Sequence, residues 1–214
     1  MPSLLPWLGP AAFLWTAVGL WLYLFGKPRY NIYSKIFAIS GSVLLALLGL
    51  CLQPSFQSAL LFSSACFFMA ADIFINSSLK KGVVVFLLGH ICLLVRSFLL
   101  GGSWSAVLVV GAFGCIVPAF LYYRQLKPLG ILAPMLLVYV FVLFGTAGSI
   151  FSLYLFHKTT GYLLASVGAL LFLISDILLG DGILTRRKSR VRACCVMYLY
   201  EAAVLLLMLS PFAI

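Results

Sequence analysis

The sequence predicts an all-α polytopic membrane helix bundle of about eight transmembrane helices, with both termini on the non-cytoplasmic side. Three observations predict it. Apolar residues make up 64% of the 214-residue chain and charged residues only 8%, whereas a soluble domain carries roughly 25% charged residues to cover its surface. The apolar residues fall in long continuous stretches, not in short alternating blocks, which disfavours a β-barrel. Each stretch approaches the roughly 20 residues a helix needs to cross the hydrocarbon core, where backbone groups must be bonded within their own segment.

In chain order the spans are 4–25, 35–52, 56–76, 82–100, 102–122, 129–155, 161–180 and 193–214, read as one transmembrane domain over 1–214. The first has the length of a secretory leader. No Lys or Arg precedes Lys27, so the basic n-region of a leader is missing and the segment reads as a span. The connections after spans one, three, five and seven carry Lys27, Arg29, Lys35, Lys80, Lys81, Arg124, Lys127 and the cluster Arg186, Arg187, Lys188, Arg190 and Arg192. The alternate connections hold only Arg96 and Lys158. Short loops rich in Lys and Arg stay cytoplasmic, which sets the orientation. The same distribution turns the formal charge of +10 into a topology signal and argues against nucleic-acid binding. The Asn76-Ser77-Ser78 sequon then falls on the cytoplasmic side and is expected to stay unglycosylated. A weak echo between Leu61–Ile75 and Ala165–Leu179 aligns Asp72 with Asp176 and hints at a 4+4 repeat, about 1–100 and 102–214.

Chemistry is expected where polarity interrupts lipid-compatible sequence. Of the four acids, Asp181 sits at a helix end beside the basic loop and reads as a solvated ion pair. Asp72, Asp176 and Glu201 lie inside spans, where a carboxylate costs several kcal/mol and marks function when it faces the bundle interior. Asp72 and Asp176 each lie about 6 Å inside the cytoplasmic boundary at 1.5 Å per residue. His90 and Glu201 lie about eight residues in and Tyr139 about ten, so these five are expected to converge on one pocket open to the cytoplasmic leaflet, rimmed by Asn31, Tyr33, Lys35, Tyr198 and Tyr200. Two carboxylates sharing a buried site divide their roles, one protonated and one ionised, which suits acid–base hydrolysis. No metal is expected: there are two histidines, with His157 near the opposite face, and a catalytic zinc needs about three ligands. The chain has no G-x-S-x-G elbow and no nucleotide-binding glycine loop. Its six cysteines form no C-x-x-C pair.

The stretch Gly168-Ala169-Leu170-Leu171-Phe172-Leu173-Ile174-Ser175-Asp176 resembles the G-A-L-x-F-x-x-S-D signature of the lysoplasmalogenase (YhhN-like) family. Leu61 through Phe74, with Asp72, resembles that family's earlier F-S-x-x-G-D segment, and Gly89-His90 with Leu93 resembles its next helix. Tyr139 stands where the family's sixth span carries a Tyr, and the likeness runs from about residue 30 to 210. Two departures stand out. Ala71 replaces the usual Gly before the first Asp, and Tyr198-Leu199-Tyr200-Glu201 replaces adjacent tyrosines followed by Gln.

The resemblance implies cleavage of the vinyl ether bond of lysoplasmalogens (lysoplasmenylcholine and lysoplasmenylethanolamine) to a fatty aldehyde and a glycerophospho-base, without a cofactor. Asp72 and Asp176 are then the acid–base pair. His90, Tyr139, Tyr198, Tyr200 and Glu201 orient water or substrate, and Lys35 with the basic loop holds the phosphate of the lysophospholipid. The alternative reading is a proton-coupled transporter or lipid-binding membrane protein, motivated by intramembrane acids in a repeated layout. The expected location is the endoplasmic reticulum membrane in a eukaryote or the inner membrane in a bacterium.

Overall fold

Eight long helices carry the chain in the computed structural model, which describes residues 5–25, 31–185 and 189–213. They are α1 (Leu5–Phe25), α2 (Asn31–Leu52), α3 (Phe56–Ser77), α4 (Leu79–Leu99), α5 (Trp104–Leu121), α6 (Leu132–His157), α7 (Thr160–Leu184) and α8 (Arg190–Leu209). Seven of them, α2 to α8, are long and apolar enough to cross a membrane, and α1 adds the apolar run Gly9–Phe25. The protein is therefore a polytopic membrane helix bundle, and no strand occurs among the described residues. Lys27, Arg29 and the cluster Arg186, Arg187 and Lys188 lie outside the described residues.

Several helices outrun the apolar spans, because hydropathy marks the stretch in lipid while the helix continues into the headgroup region. The α4 helix starts at Leu79 and takes Lys80 and Lys81, both exposed, into its first turn, a position from which a lysine keeps its charge in water. The α7 helix runs to Leu184 and so carries Asp181 in its last turn. Between α5 and α6 the chain forms a short helix, Tyr123–Leu126, and a 3-10 turn, Lys127–Leu129. Gly130, at φ 55° and ψ −128°, then reverses the path in a conformation open only to glycine, so α6 begins at Leu132. Ser55, Ser103, Thr159 and Ser189 cap α3, α5, α7 and α8, each accepting a hydrogen bond from a first-turn backbone N–H.

The same order of packing recurs in each half of the chain. The third and fourth helices (α3 with α4, α7 with α8) share the largest contact, then the first with the second, then the second with the third. The halves meet through α4 on α6 and, reciprocally, α8 on α2. Without a hydrophobic force between helices in lipid, close approach relies on small residues and polar contacts. Gly89 lets α4 lie against the Phe68 ring of α3, which would stand 2.5 Å from an added Cβ. At the end away from the basic loops, Ser97 and Ser149 share a 2.8 Å hydrogen bond, and Ser103 donates its backbone N–H to Ser152 at 2.9 Å. These bonds tie α4 and its following loop to α6. At the opposite end Arg190 donates to the Leu24 carbonyl at 2.8 Å, joining the start of α8 to the end of α1.

Candidate active site

Phe68 and Phe172 bring the two aspartates together. Each stands one helical turn before its aspartate, on the same helix face as Asp72 or Asp176. Both rings are fully buried and their centroids meet at 5.0 Å. Phe86, His90 and Tyr200 close the cluster around Phe172, at 6.4, 4.6 and 5.3 Å. With α3 and α7 joined through these rings, Asp72 and Asp176 lie one turn closer to the basic end and within electrostatic range of each other. The helix ends beyond them differ, since α3 stops at Ser77 and α7 continues to Leu184.

Asp176 faces an apolar cleft of about 150 Å³ between α4, α6 and α7. Tyr139, on α6, donates its hydroxyl to Asp176 Oδ2, and both side chains line the cleft. Val83, Phe86, Leu143 and Phe144 make its apolar walls, and Tyr122 and Asp181 lie at the end nearer the basic loops. A lipid chain is the kind of molecule these walls suit. The carboxyl and the phenol are the polar groups such a chain would meet at the depth of Asp176.

Asp72 does not line the cleft. It is 5% exposed, and its Oδ2 has no hydrogen-bond partner among the described residues. The Tyr200 hydroxyl lies against it while donating to the Phe68 carbonyl at 3.3 Å, and Tyr200 is also within electrostatic range of Asp176. Glu201, fully buried, has no hydrogen bond on either oxygen among the described residues and stands within range of Asp72 and Lys35. An unbonded buried carboxylate is costly, and Lys35 is the cation within electrostatic range of this group among the described residues.

His90 is 2% exposed, and neither ring nitrogen has a hydrogen-bond partner among the described residues. Phe68, Phe172 and Tyr139 surround it at 5.1, 4.6 and 5.8 Å. Its imidazole therefore packs the back of Tyr139 and does not reach Asp176 directly. Among the described residues no group of three or more His, Cys, Asp or Glu has metal-holding geometry.

The sequence-derived candidates thus divide. Asp72, Asp176, Tyr139, Tyr200, Glu201 and His90 do come together. Lys35, expected to hold a phosphate at the pocket rim, instead stands with Asp72 and Glu201, its ammonium 5.8 Å from the centre of the Tyr23 ring. The reason is register. The interval that separates Asp72 from Asp176 also separates Lys35 from Tyr139, so each aspartate is attended from the second helix of its own half, one by a cation and one by a phenol. Tyr198 is 40% exposed and makes no polar contact with the cluster among the described residues.

Residues 30–211 match the YhhN family. The chain belongs to that family. No curated protein and no solved structure matches it. In this YhhN-family protein one polar group lies outside the sequence-derived set. Tyr122 donates to Asp181 Oδ1 at 2.8 Å, and Arg192 pairs with Asp181 Oδ2 at 3.1 Å. The ion pair expected at Asp181 is present, but it stands at the end of the cleft. The only signal for Tyr122 was an aromatic residue at a span end just before Arg124, a common interfacial position.

Proposed function

We propose that this protein is a membrane hydrolase of vinyl ether lipids, cleaving lysoplasmalogens to a fatty aldehyde and a glycerophospho-base. The observation that carries the reading is the Asp176–Tyr139 pair on the wall of an apolar cleft, with a second carboxylate, Asp72, in electrostatic range. Membership of the YhhN family, which is associated with hydrolase activity, supports the reaction class.

Asp176 is the proton donor, because it faces the cleft and Asp72 does not. Its proton goes to the vinyl carbon β to the ether oxygen, and the alkene π electrons form the new C–H bond. The ether oxygen lone pair then stabilises the α carbon as an oxocarbenium ion. The carboxylate left on Asp176 offsets that positive charge while Tyr139 donates to it. Water adds to the α carbon and returns a proton to Asp176. The hemiacetal collapses as its hydroxyl gives up a proton to form the carbonyl and its C–O bond to glycerol breaks; the glycerol oxygen takes up a proton in exchange, and the aldehyde is released. Asp72, backed by Lys35 and Glu201, supplies the second carboxylate and acts on Asp176 through Tyr200. The scheme needs no cofactor.

The test is aldehyde release by purified protein from lysoplasmenylcholine and lysoplasmenylethanolamine in mixed micelles. The wild type is expected to turn over at least one of them, and Asp176→Asn to lose about 10²-fold or more, the usual share of a positioned acid. A wild type that is folded and silent on both substrates refutes the assignment. The rival reading, a proton-coupled lipid transporter, is favoured by one observation: Asp72, Glu201 and Lys35 form a charged group away from the cleft. It predicts uptake into proteoliposomes that depends on a pH gradient, with no aldehyde formed.

A further inference from the structure

We infer that Tyr122, Asp181 and Arg192 form a headgroup subsite at the end of the cleft nearer the basic loops, for a zwitterionic headgroup in which a phosphodiester adjoins a cationic amine. The inference rests on the lysoplasmalogen reading and adds the residues that select the headgroup. The three side chains come from the end of α5, the last turn of α7 and the first turn of α8, and meet only through the tertiary fold. Tyr122 and Asp181 line the same cleft as Asp176 and Tyr139.

The spacing fits. Asp181 lies five residues beyond Asp176 on α7, a rise of about 7.5 Å. In a lysoplasmalogen, phosphorus is five bonds from the vinyl ether oxygen and seven from the carbon that takes the proton, about 6 to 9 Å when extended. With that carbon at Asp176, the phosphate falls at the level of Asp181 and Arg192.

The charges fit as well. A guanidinium beside a carboxylate mirrors a phosphate beside an ammonium. Arg192 has donors left after its contact with Asp181, and they suit phosphate oxygens. Asp181 accepts from Tyr122, is ion-paired with Arg192 and keeps lone pairs for an ammonium. At 25% and 32% exposure, the Arg192 and Asp181 side chains are reachable from the headgroup region yet shielded from full screening. An inositol headgroup would offer Asp181 no cation, and a serine headgroup would bring a carboxylate of like charge beside its ammonium.

Three substrates that share one alkenyl chain test the site: the phosphocholine lysolipid, the glycerol 3-phosphate without amine, and the alkenyl glycerol without phosphate. Asp181→Asn, which can still accept from Tyr122, is expected to raise KM about tenfold for the phosphocholine substrate and less than about twofold for the phosphate. Arg192→Gln is expected to raise KM about tenfold for both phosphate-bearing substrates and less than about twofold for alkenyl glycerol. Turnover at saturation should stay within about twofold, since neither group reaches the vinyl ether. Equal KM shifts across all three substrates, or a fall in kcat with KM unchanged, would overturn the subsite.

If the wild type cleaves none of them, the hydrolase reading fails separately. The subsite is then read from binding of 1-O-alkyl-lysophosphocholine and 1-O-alkyl-glycerol by native mass spectrometry. Loss of the phosphocholine preference in both variants supports it, and an unchanged preference overturns it.

Discussion

Replacing Tyr139 with Phe removes one oxygen from the site and leaves nearly everything else. The ring stays against His90, whose centroid is 5.8 Å away, so packing is preserved. What is lost is the hydrogen bond to Asp176. In the proposed reaction that bond strengthens as the proton leaves, because the acceptor passes from a neutral acid to a carboxylate. A hydrogen bond to a charged group contributes about 1.5–3 kcal/mol net. Since each 1.36 kcal/mol is tenfold in rate, kcat should fall about ten- to about a hundredfold. The loss belongs to the transition state, so KM should hold. The assay is initial-rate aldehyde release over a range of lysoplasmenylcholine, with thermal unfolding in the same micelles to confirm an intact fold. A folded Tyr139→Phe protein with wild-type kcat would refute the role given to the phenol. A rise in KM alone would mean that Tyr139 only binds substrate.

Three further outcomes are expected. The rate should be bell-shaped in pH, falling on the alkaline side as the donor loses its proton and on the acid side as the partner carboxylate gains one; Asp176→Asn should remove the alkaline limb from whatever activity remains. Gly180→Phe should block the cleft without harming the fold, because a Cβ there meets nothing within 4 Å while Gly180 lines the cleft wall. It should cut kcat/KM about tenfold or more while unfolding resistance is unchanged or slightly improved, since glycine is a poorer helix former than phenylalanine by roughly 0.3–0.5 kcal/mol. Gly89→Ala should do the reverse of a harmless change. Its methyl would stand 2.5 Å from the ring of Phe68, which is fully buried and hemmed in by Phe86, His90 and Phe172. Over-packing of that kind costs about 1–3 kcal/mol, to be read as a lower unfolding midpoint in denaturant titration; an unchanged midpoint would show that the ring yields.

The site also has an internal logic that separates its two aspartates. Asp176 has a phenol beside it and a cleft in front of it, whereas Asp72 has a lysine and a second buried carboxylate nearby and no cleft. In the proposed reaction Asp176 is then the group that touches substrate, and Asp72 acts on it from behind. The interval from Lys35 to Tyr139 equals that from Asp72 to Asp176, so the cation and the phenol stand in the same register relative to their aspartates. Glu201 belongs with Asp72 in this division, since it reaches the charged group and not the cleft.

The sequence alone determined the architecture, because the length and apolarity of a span answer to the thickness of the bilayer and to nothing else in the fold. It also determined which end of each helix carries the basic residues, and it named Asp72, Asp176, Glu201, His90 and Tyr139 as residues that lipid would not tolerate without a reason. Which way each side chain faces was decided only by tertiary structure. The cause is physical: a membrane helix is apolar toward lipid and toward its neighbours alike, so no amphipathic stripe distinguishes the two. Hence Tyr198, exposed to the surroundings, and Tyr200, buried against Asp72, looked alike two positions apart. For the same reason Lys35 read as a rim residue, and the pairing of Tyr122 with Asp181 across two helices left no mark in the chain. The cleft itself lies where α4, α6 and α7 leave a gap, and only the packing of the whole bundle puts Asp176 on its wall.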